Sequence, residues 1–400
     1  MIGTFDGFPV ASRSAGEGSK NATIPSGNWG HSLSKAPVKR TIRLKVLQLP
    51  GYSNKVNPYN AMLCDALVAA GAEVDDFRIK TFLKGSKPDI LHVHWPEWWL
   101  SQSPWQRAKR ERSRLWLGVR LAKLRGAKLI WTAHNLRPHE RHYPDAEARF
   151  YREWIAAVDG IIALSRLGLE QLEQAYPAVR EKPRCVIPHG DFRPRLRGIS
   201  RQDARLQLGI PAETLLVGHF GLLRPYKNTP LLIRTFVEAS ARYEAATGQS
   251  TLLIVAGSST EPDFVEEVKT AAAGRSNVRL EIRYVEDAEL EGLAAASNLV
   301  AMPFRDILNS GSALYALSAG TPILVPAIGA IPELQADVGA DWVHLYSGEF
   351  TVDRLESAMV QSSNLPDGKK PKLDQYHWDR IGSQTLEAYQ AVLKRSKKAN

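Results

Sequence analysis

Two cationic side chains, Arg224 and Lys227, lie three positions apart, directly after the apolar segment 215–220 and the glycine Gly221. Arginine and lysine are the side chains that bind phosphate most strongly, and two cations at this spacing can contact one anionic group. The alternative is a solvated basic loop. The pair therefore predicts an anion site at the end of a strand.

The segment Asn309-Ser310-Gly311-Ser312 is predicted to be a loop that runs into a helix. The first backbone N–H groups of a helix are unpaired and its amino end is partly positive, so this segment can also bind an anion. Ordinary helix capping by the two serines is the alternative, and both roles can coexist.

Side chains that can accept a proton follow two other apolar segments. His92 and His94 share one face of a predicted strand, and Glu97 follows it after a proline. His134 follows the next apolar segment along the chain. A carboxylate or imidazole held in a cleft can act as a general base. The alternative is an exposed acid beside structural, hydrogen-bonded histidines.

Alternating strand and helix patterns must position these groups. The first half begins with strand 43–49, the glycine loop at Gly51 and a helix over 59–70. Further strands are predicted at 89–95, 128–133, 160–164 and 185–188, and a second series at 215–220, 252–256, 278–282, 299–302 and 322–325. Such alternation is typical of parallel α/β sheets, which bind ligands at the carboxyl ends of their strands.

The chain is therefore predicted to contain two Rossmann-like domains that face each other across a cleft. We expect a flexible tail over 1–40, domains over 41–195 and 196–375, and a final helical segment over 376–400 that crosses back to the first domain.

Composition narrows the possible functions. The 400 residues carry 52 Lys and Arg against 42 Asp and Glu, a net charge of +10, which favours anionic partners. Two cysteines outside any metal-ligand spacing argue against a disulfide framework and for a reducing cytosol. No membrane-spanning segment or secretory signal is recognised.

In order and spacing, the motifs of the second half resemble those of the GT-B glycosyltransferases, two-domain enzymes that use nucleotide-sugar donors. The resemblance covers about residues 43–395, and its main motifs are Gly218–Gly221, Leu223–Lys227, Leu253–Gly257, Ser310–Ser312, Ala319–Pro322, Gly329–Glu333 and Tyr376–Asp379. The resemblance implies that the donor contacts Gly51, Gly221, Arg224, Lys227, Asn309, Ser310, Gly311, Ser312, Tyr315 and Glu333. For Glu333, capping of a helix is the alternative.

The sequence departs from the retaining members of this superfamily. Their two glutamates, eight positions apart, are replaced by Ile307 and Tyr315. The remaining pattern is more similar to bacterial exopolysaccharide enzymes that build β-linkages, of the xanthan β-mannosyltransferase and succinoglycan β-glucosyltransferase types. This likeness implies an inverting reaction with a general base in the first domain. We favour Glu97, with His94 and His134 as alternatives.

The same likeness implies a nucleotide sugar as substrate and no separate cofactor. We favour a UDP-sugar that carries a glucose-type group over a GDP-sugar. No Asp-x-Asp metal motif is recognised, so we expect no metal site. A nucleotide-sugar epimerase or phosphorylase is a second hypothesis. A binding adaptor for membranes or nucleic acid that has lost the chemistry is a third.

A basic stretch in the first half bears on the acceptor. Nine Lys or Arg and a single acid lie between Arg107 and Lys128, with tryptophans at 98, 99, 105 and 116. Such a segment suits an anionic membrane surface, where a polyprenyl-diphosphate-linked oligosaccharide is presented. We therefore expect a cytoplasmic protein at the inner face of the membrane. A solvated helix packed on the domain is the alternative, and nucleic acid is not expected.

Overall fold

The computed structural model describes residues 43–398, apart from 55–56, 80–81, 83–84, 86, 138–142 and 367. The tail predicted over residues 1–40 lies outside the described residues.

The first domain is built on a parallel sheet of six strands in the order β2-β1-β3-β4-β5-β6. The strands are β1 Lys45–Leu49, β2 Glu73–Asp76, β3 Ile90–His94, β4 Lys128–Ala133, β5 Gly160–Ala163 and β6 Arg184–Val186. The helices between them are α1 Tyr59–Ala69, α2 Trp105–Leu124, α3 Pro144–Ala157 and α4 Arg166–Ala175. The 3₁₀ turns Pro96–Ser101 and Pro177–Glu181 complete this half.

The second domain repeats the design with six parallel strands in the order β12-β11-β10-β7-β8-β9. These are β7 Leu215–Phe220, β8 Thr251–Ala256, β9 Val278–Glu281, β10 Leu299–Ala301, β11 Ile323–Pro326 and β12 Val343–Tyr346. The helices are α5 Arg201–Leu208, α6 Thr229–Thr247, α7 Pro262–Ala272, α8 Asp287–Ala296, α9 Gly311–Ser318, α10 Ile331–Val338 and α11 Val352–Ser363. Short 3₁₀ turns lie at Arg193–Arg195, Pro225–Lys227 and Asp374–Tyr376.

Both sheets are parallel with central strands that are fully buried, as a sheet covered by helices on both faces requires. The predicted α/β class with two Rossmann-like domains is confirmed. The sequence analysis missed β2 and β12, short strands at outer edges of the two sheets.

The last helix, α12 Trp378–Lys398, packs against α1 of the first domain. The two helices are close enough that a Cβ atom on Gly382 would lie 2.4 Å from the carbonyl oxygen of Ala66. At the start of α12, the indole Nε1 of Trp378 donates to the carbonyl oxygen of Asp191 at 2.6 Å. The carboxy-terminal segment therefore fastens both domains together.

The basic stretch forms α2 and the turn before it. Trp99 is buried in the core of the first domain, and half-buried Trp116 packs against Phe150 and Trp154. The exposed face of α2 carries leucines in place of tryptophans, with Leu117 50% and Leu124 84% exposed. No helix in the described part of the chain has both the length and the hydrophobicity to span a bilayer.

Candidate active site

Three groups from separate segments of the second domain converge beside Gly221. This glycine follows β7 with a φ of 97°, and a Cβ atom there would lie 3.3 Å from the Lys227 ammonium nitrogen and 3.6 Å from the Ser312 hydroxyl oxygen. A positive φ favours glycine, and the missing side chain leaves open the space that the cation and the hydroxyl border. The structure thus brings together Gly221, Lys227 and Ser312 as a small polar cradle.

Lys227 is an unusual lysine because its side chain is only 4% exposed. Burial lowers its pKa to about 8, and the neighbouring charge of Arg224 lowers it further in the same direction. Its ammonium group lies 5.7 Å from the centre of the Phe304 ring. Among the described residues Lys227 has no carboxylate partner within ion-pair distance, so an anion entering the cradle would supply the missing counter-charge.

Arg224 lies beside the cradle and is partly exposed, with a guanidinium nitrogen 3.6 Å from a carboxylate oxygen of Glu261. Its charge lies close enough to Lys227 to lower the pKa of that lysine, so the two cations share one neighbourhood.

The amino end of α9 provides backbone donors at the same place. The Ser310 hydroxyl accepts from the Ala313 N–H at 3.1 Å and caps the helix, which is the capping alternative of the sequence analysis. Gly311 is exposed and Ser312 half-buried, so this end of the helix lies at the protein surface. This end of α9 can therefore attract an anion while remaining capped.

Two other residues that the sequence analysis placed at the nucleotide sugar, Tyr315 and Gly51, pack against protein side chains. Tyr315 is half-buried and packs edge-on against Phe192 and Phe220. Gly51 is buried, and a Cβ atom there would lie 2.4 Å from an oxygen of Asp76, which makes it a position of close packing.

Two of the predicted residues join the domains. The Asn309 side-chain amide donates to the carbonyl oxygen of His134 at 3.1 Å. Glu333 accepts from the backbone N–H groups of Arg166 and Leu167, so it caps α4 of the opposite domain. The structure therefore places both residues between the domains.

Glu97 lies on the first-domain side, in the 3₁₀ turn that follows β3. Trp95 precedes this turn with φ 47° and ψ 55°, a left-handed conformation that is strained for a bulky residue and redirects the chain after the strand. Glu97 is 4% exposed, and burial raises its pKa to about 7, although hydrogen bonds from its own backbone and from Asn135 act in the opposite direction. Such a carboxyl can hold or release a proton near neutral pH.

The histidines form a buried group next to Glu97. His94 Nδ1 and His134 Nε2 are 3.0 Å apart, and the Trp95 indole stacks on His134 with ring centres 4.1 Å apart. Burial lowers the pKa of His94 to about 3 and that of His134 well below its usual value. Both are therefore neutral imidazoles at physiological pH.

Sequence reasoning missed three members of this group. Gln48 in β1, Thr132 in β4 and Tyr389 in α12 all hydrogen-bond to the histidines. Gln48 and Thr132 could have been found, because each is a polar residue in an apolar strand next to a histidine-bearing one. Tyr389 is 297 residues from His92 and carries no such signal.

Within the ranges that the structure describes, no three or more His, Cys, Asp or Glu side chains are grouped so that they could hold a metal ion.

Comparison with known proteins agrees with this architecture. Residues 74–190 match the family model described as Glycosyltransferase Family 4. The chain is 31% identical over 337 residues to a "GDP-mannose:glycolipid 4-beta-D-mannosyltransferase" of Xanthomonas campestris pv. campestris, covering 84% of this chain and 89% of that protein.

Solved structures share the fold at lower identity. The sucrose-phosphate synthase of Thermosynechococcus elongatus has a TM-score of 0.60 at 16% identity and covers 89% of this chain and 98% of its own. Anabaena HepE, solved in complex with UDP-glucose, has a TM-score of 0.58 at 19% identity over 89% of this chain and 100% of its own.

The fold and the length of the mannosyltransferase match define the class: the chain belongs to the GT-B glycosyltransferases. Within that class it is similar to the xanthan-type mannosyltransferases, so the predicted resemblance is confirmed.

Proposed function

We propose that this glycosyltransferase moves mannose from GDP-mannose to a lipid-linked oligosaccharide with inversion at the anomeric carbon, in the assembly of a bacterial exopolysaccharide. The single observation that carries the donor site is the convergence of Lys227 and Ser312 on Gly221, beside the open amino end of α9. A buried lysine without a counter-ion in the described residues, next to the amino end of a helix, supports binding of a diphosphate here.

The donor in this proposal differs from the one that the sequence analysis favoured, a UDP-sugar with a glucose-type group. The relative at 31% identity is named for GDP-mannose and a glycolipid, and it covers 84% of this chain. The structure at 19% identity that holds UDP-glucose supports the fold alone. We therefore choose the donor and the acceptor class of the closer match.

The chemistry follows from the placement of the charged groups. The acceptor hydroxyl gives its proton to the Glu97 carboxylate, and its oxygen forms a bond to the anomeric carbon. The bond between that carbon and the phosphate oxygen breaks, and its electron pair leaves with GDP. Lys227, Arg224 and the α9 amino end stabilise the negative charge that grows on the diphosphate. A metal ion has this role in other glycosyltransferases, and we propose that this protein needs no metal ion.

One contact within the first domain and one between the domains support Glu97 as the base. Its hydrogen-bond partner Asn135 is adjacent to His134, whose carbonyl oxygen accepts from Asn309. Asn309 directly precedes the cap of α9. The base and the diphosphate cradle are thus linked through neighbouring residues across the cleft. His94 and His134 remain the alternative bases.

The acceptor would be reached at a membrane surface. The exposed face of α2 carries Arg107, Arg110 and Arg120 beside Leu117 and Leu124. Cations next to exposed leucines suit an anionic bilayer. We propose that the protein works at the cytoplasmic face of the membrane, peripherally bound through this α2 face.

Donor binding and turnover test the proposal. We expect the protein to bind GDP-mannose more tightly than UDP-glucose and to transfer mannose to a glycolipid in EDTA. Substituting Lys227→Gln should weaken GDP binding by roughly 10- to 100-fold, because a hydrogen bond to a charged group contributes about 1.5–3 kcal/mol. Calorimetric titration with GDP measures this, with exposed Arg234→Gln on α6 as the control.

Unchanged GDP affinity in the Lys227 variant would remove the proposed diphosphate site. Tighter binding of UDP-glucose would overturn the donor assignment, and loss of transfer in EDTA would show that a metal is required.

A further inference from the structure

Six side chains form one continuous series of hydrogen bonds between the first-domain sheet and the last helix, and the reaction proposed above assigns a step to none of them. The series links strands β1, β3 and β4 to α12. It runs His134–His94 at 3.0 Å, His94–Gln48 at 2.9 Å, Gln48–Tyr389 at 3.3 Å, Tyr389–His92 at 2.6 Å and His92–Thr132 at 2.7 Å. All six residues are buried, with His134 the most exposed at 8%.

The chemistry of Gln48 fixes the direction of these hydrogen bonds. Its Oε1 faces His94 Nε2, and an amide oxygen can only accept, so the proton of His94 is on Nε2. Its Nε2 faces the Tyr389 hydroxyl and donates to it. That hydroxyl in turn donates to His92 Nδ1, and His92 Nε2 donates to Thr132. Each group donates to the next, so the hydrogen bonds strengthen one another.

The same logic sets the tautomer of His134. A neutral His94 with its proton on Nε2 has a lone pair on Nδ1, which must accept from His134 Nε2. Burial keeps His94 neutral, since it lowers its pKa to about 3. His134 therefore carries its proton on Nε2, and its Nδ1 is an acceptor. Reversing the Gln48 amide would reverse each of these assignments.

The Nδ1 atom of His134 is the open end of the series. Among the six residues His134 is the most exposed, and in the described part of the chain its Nδ1 has no hydrogen-bond partner. Asn309 of the opposite domain binds the His134 carbonyl, and Trp95 stacks on the ring and holds its plane. Glu97 is hydrogen-bonded to Asn135, the next residue.

We infer that Gln48 is a positioning residue: through His94 it holds His134 in the Nε2–H tautomer, so that Nδ1 accepts a hydrogen bond from an acceptor-sugar hydroxyl other than the attacking one, whose own proton goes to Glu97, and thereby orients the acceptor. The orienting step rests on the proposed transferase reaction and on Glu97 as its base. The tautomer itself rests only on the hydrogen bonds, so the two can be tested separately.

The first experiment measures the tautomer. In protein labelled with ¹⁵N-histidine, the spectrum distinguishes a protonated from an unprotonated ring nitrogen, and the His134 signals are identified by their loss in His134→Gln. We expect Nε2–H with unprotonated Nδ1 in the parent protein, a mixture of tautomers in Gln48→Leu, and Nε2–H again in Gln48→Glu, whose carboxylate oxygens can only accept from His94. An Nδ1–H tautomer in the parent protein, or an unchanged one in Gln48→Leu, would overturn the inference.

The second experiment measures transfer. Misorientation of a reacting group by a small distance costs up to about 10²-fold, so Gln48→Leu should lower kcat by roughly 10- to 100-fold while KM for GDP-mannose stays within about twofold. Gln48→Glu should recover most of this rate. The control is Thr385→Val, which removes a buried hydroxyl in α12 that binds only its own helix, at 2.7 Å from the Ile381 carbonyl oxygen.

The combined results separate the possible failures. If the parent protein does not transfer mannose from GDP-mannose, the proposed function is wrong. The tautomer measurement then still tests the hydrogen-bond series by itself. If the tautomer changes in Gln48→Leu but kcat does not, Gln48 is not a positioning residue for transfer. If Gln48→Leu does not fold, the parent protein still decides the hydrogen-bond series, because an Nδ1–H tautomer of His134 there would overturn it.

Discussion

Glu97 owes its proposed role to its surroundings more than to its residue type. A carboxyl with a pKa near 7 is half ionised at neutral pH, which suits a group that must accept a proton and later release it. Replacing it by glutamine keeps its size and hydrogen bonds but removes the proton acceptor. We expect Glu97→Gln to lower kcat by about 10²–10⁴-fold and to leave GDP-mannose affinity unchanged, as measured by transfer assays and calorimetry.

The matched control is Glu147→Gln, which replaces another carboxyl of the first domain that is also 4% exposed. It should retain near-normal transfer. If Glu97→Gln were as active as this control, the base would have to be sought at His94 or His134.

The raised pKa of Glu97 also predicts a pH dependence. The base must be ionised, so kcat/KM should rise with pH through about 7 and level off above it, and this rise should be absent in the residual activity of Glu97→Gln. Stability should change in the opposite direction. Since the pKa of Glu97 in the folded state lies above the ordinary value of 4.5, the folded state is disfavoured as pH increases from about 4.5 to about 7.

Urea unfolding of the parent protein and the Glu97→Gln variant between pH 5 and 8 measures this effect. We expect the variant to gain stability relative to the parent as pH rises. A constant difference between the two across that range would contradict the raised pKa.

Single residues differ in how far the sequence could predict their place. The sequence predicts an anion at Lys227, a cation just after a strand, and at Ser312, which opens a helix, and the structure places both beside Gly221. Gly51 also follows a strand, yet it packs against Asp76, since a glycine after a strand can serve either a ligand or a close backbone approach. Tertiary packing decides between these, and local sequence does not encode it.

The helix α4 shows how an element of one domain depends on a residue of the other. Both carboxylate oxygens of Glu333 accept from N–H groups in the first turn of α4. Ser165 caps the same turn from within the first domain, with its hydroxyl oxygen 2.9 Å from the Gly168 nitrogen. A carboxylate at a helix amino end is favourable because it meets unpaired donors and a positive dipole end. Glu333 therefore stabilises the contact between the two domains.

Substituting Glu333→Ala should remove roughly 0.5–2 kcal/mol of stabilising free energy from the contact between the domains. We expect the cleft to open as a result. Hydrogen exchange should become faster at the amides of Arg166 and Leu167, and small-angle scattering should show a larger radius of gyration. The control Ser165→Ala removes a cap of the same helix inside one domain, so it should speed local exchange and leave the radius unchanged. An unchanged radius in Glu333→Ala would mean that the domains are held elsewhere.

The elements themselves were predicted unevenly, for a physical reason. Central strands such as β3 and β7 are continuous apolar runs because both faces of the sheet are covered. The outer strand β2 has the sequence Glu-Val-Asp-Asp and is partly exposed, so its pattern resembles a loop. Its pairing with β1 comes from the neighbouring strand and not from its own side chains.

For the molecule as a whole, the carboxy-terminal helix ties the sheet of the first domain to the end of the chain. Tyr389 of α12 reaches His92 in β3, and Trp378 at its start binds the segment that leaves the first domain. No local pattern could have predicted the partner of Tyr389, because the contact depends on how two sheets and a returning helix are arranged.

The α2 face tests the proposed membrane association of the whole molecule. Arg107 and Arg120 make no ion pair within the described ranges, and Leu117 and Leu124 are exposed beside them. Each cation near an anionic surface contributes about 1 kcal/mol, so Arg107→Ser with Arg120→Ser should weaken binding to phosphatidylglycerol vesicles by roughly 30-fold at low salt. Cosedimentation with vesicles measures this, and added salt should weaken the binding of the parent protein.

The matched control places the same kinds of change on the second domain, as Arg234→Ser with Leu206→Ser, since both residues are exposed there and Leu206 is 80% exposed. It should bind vesicles like the parent protein. Replacing Leu117 and Leu124 by serine should reduce the part of the binding that persists in high salt, because that part comes from apolar burial. Equal binding by the α2 and control variants would mean that the net charge of the molecule attracts it to the bilayer, without an oriented α2 face.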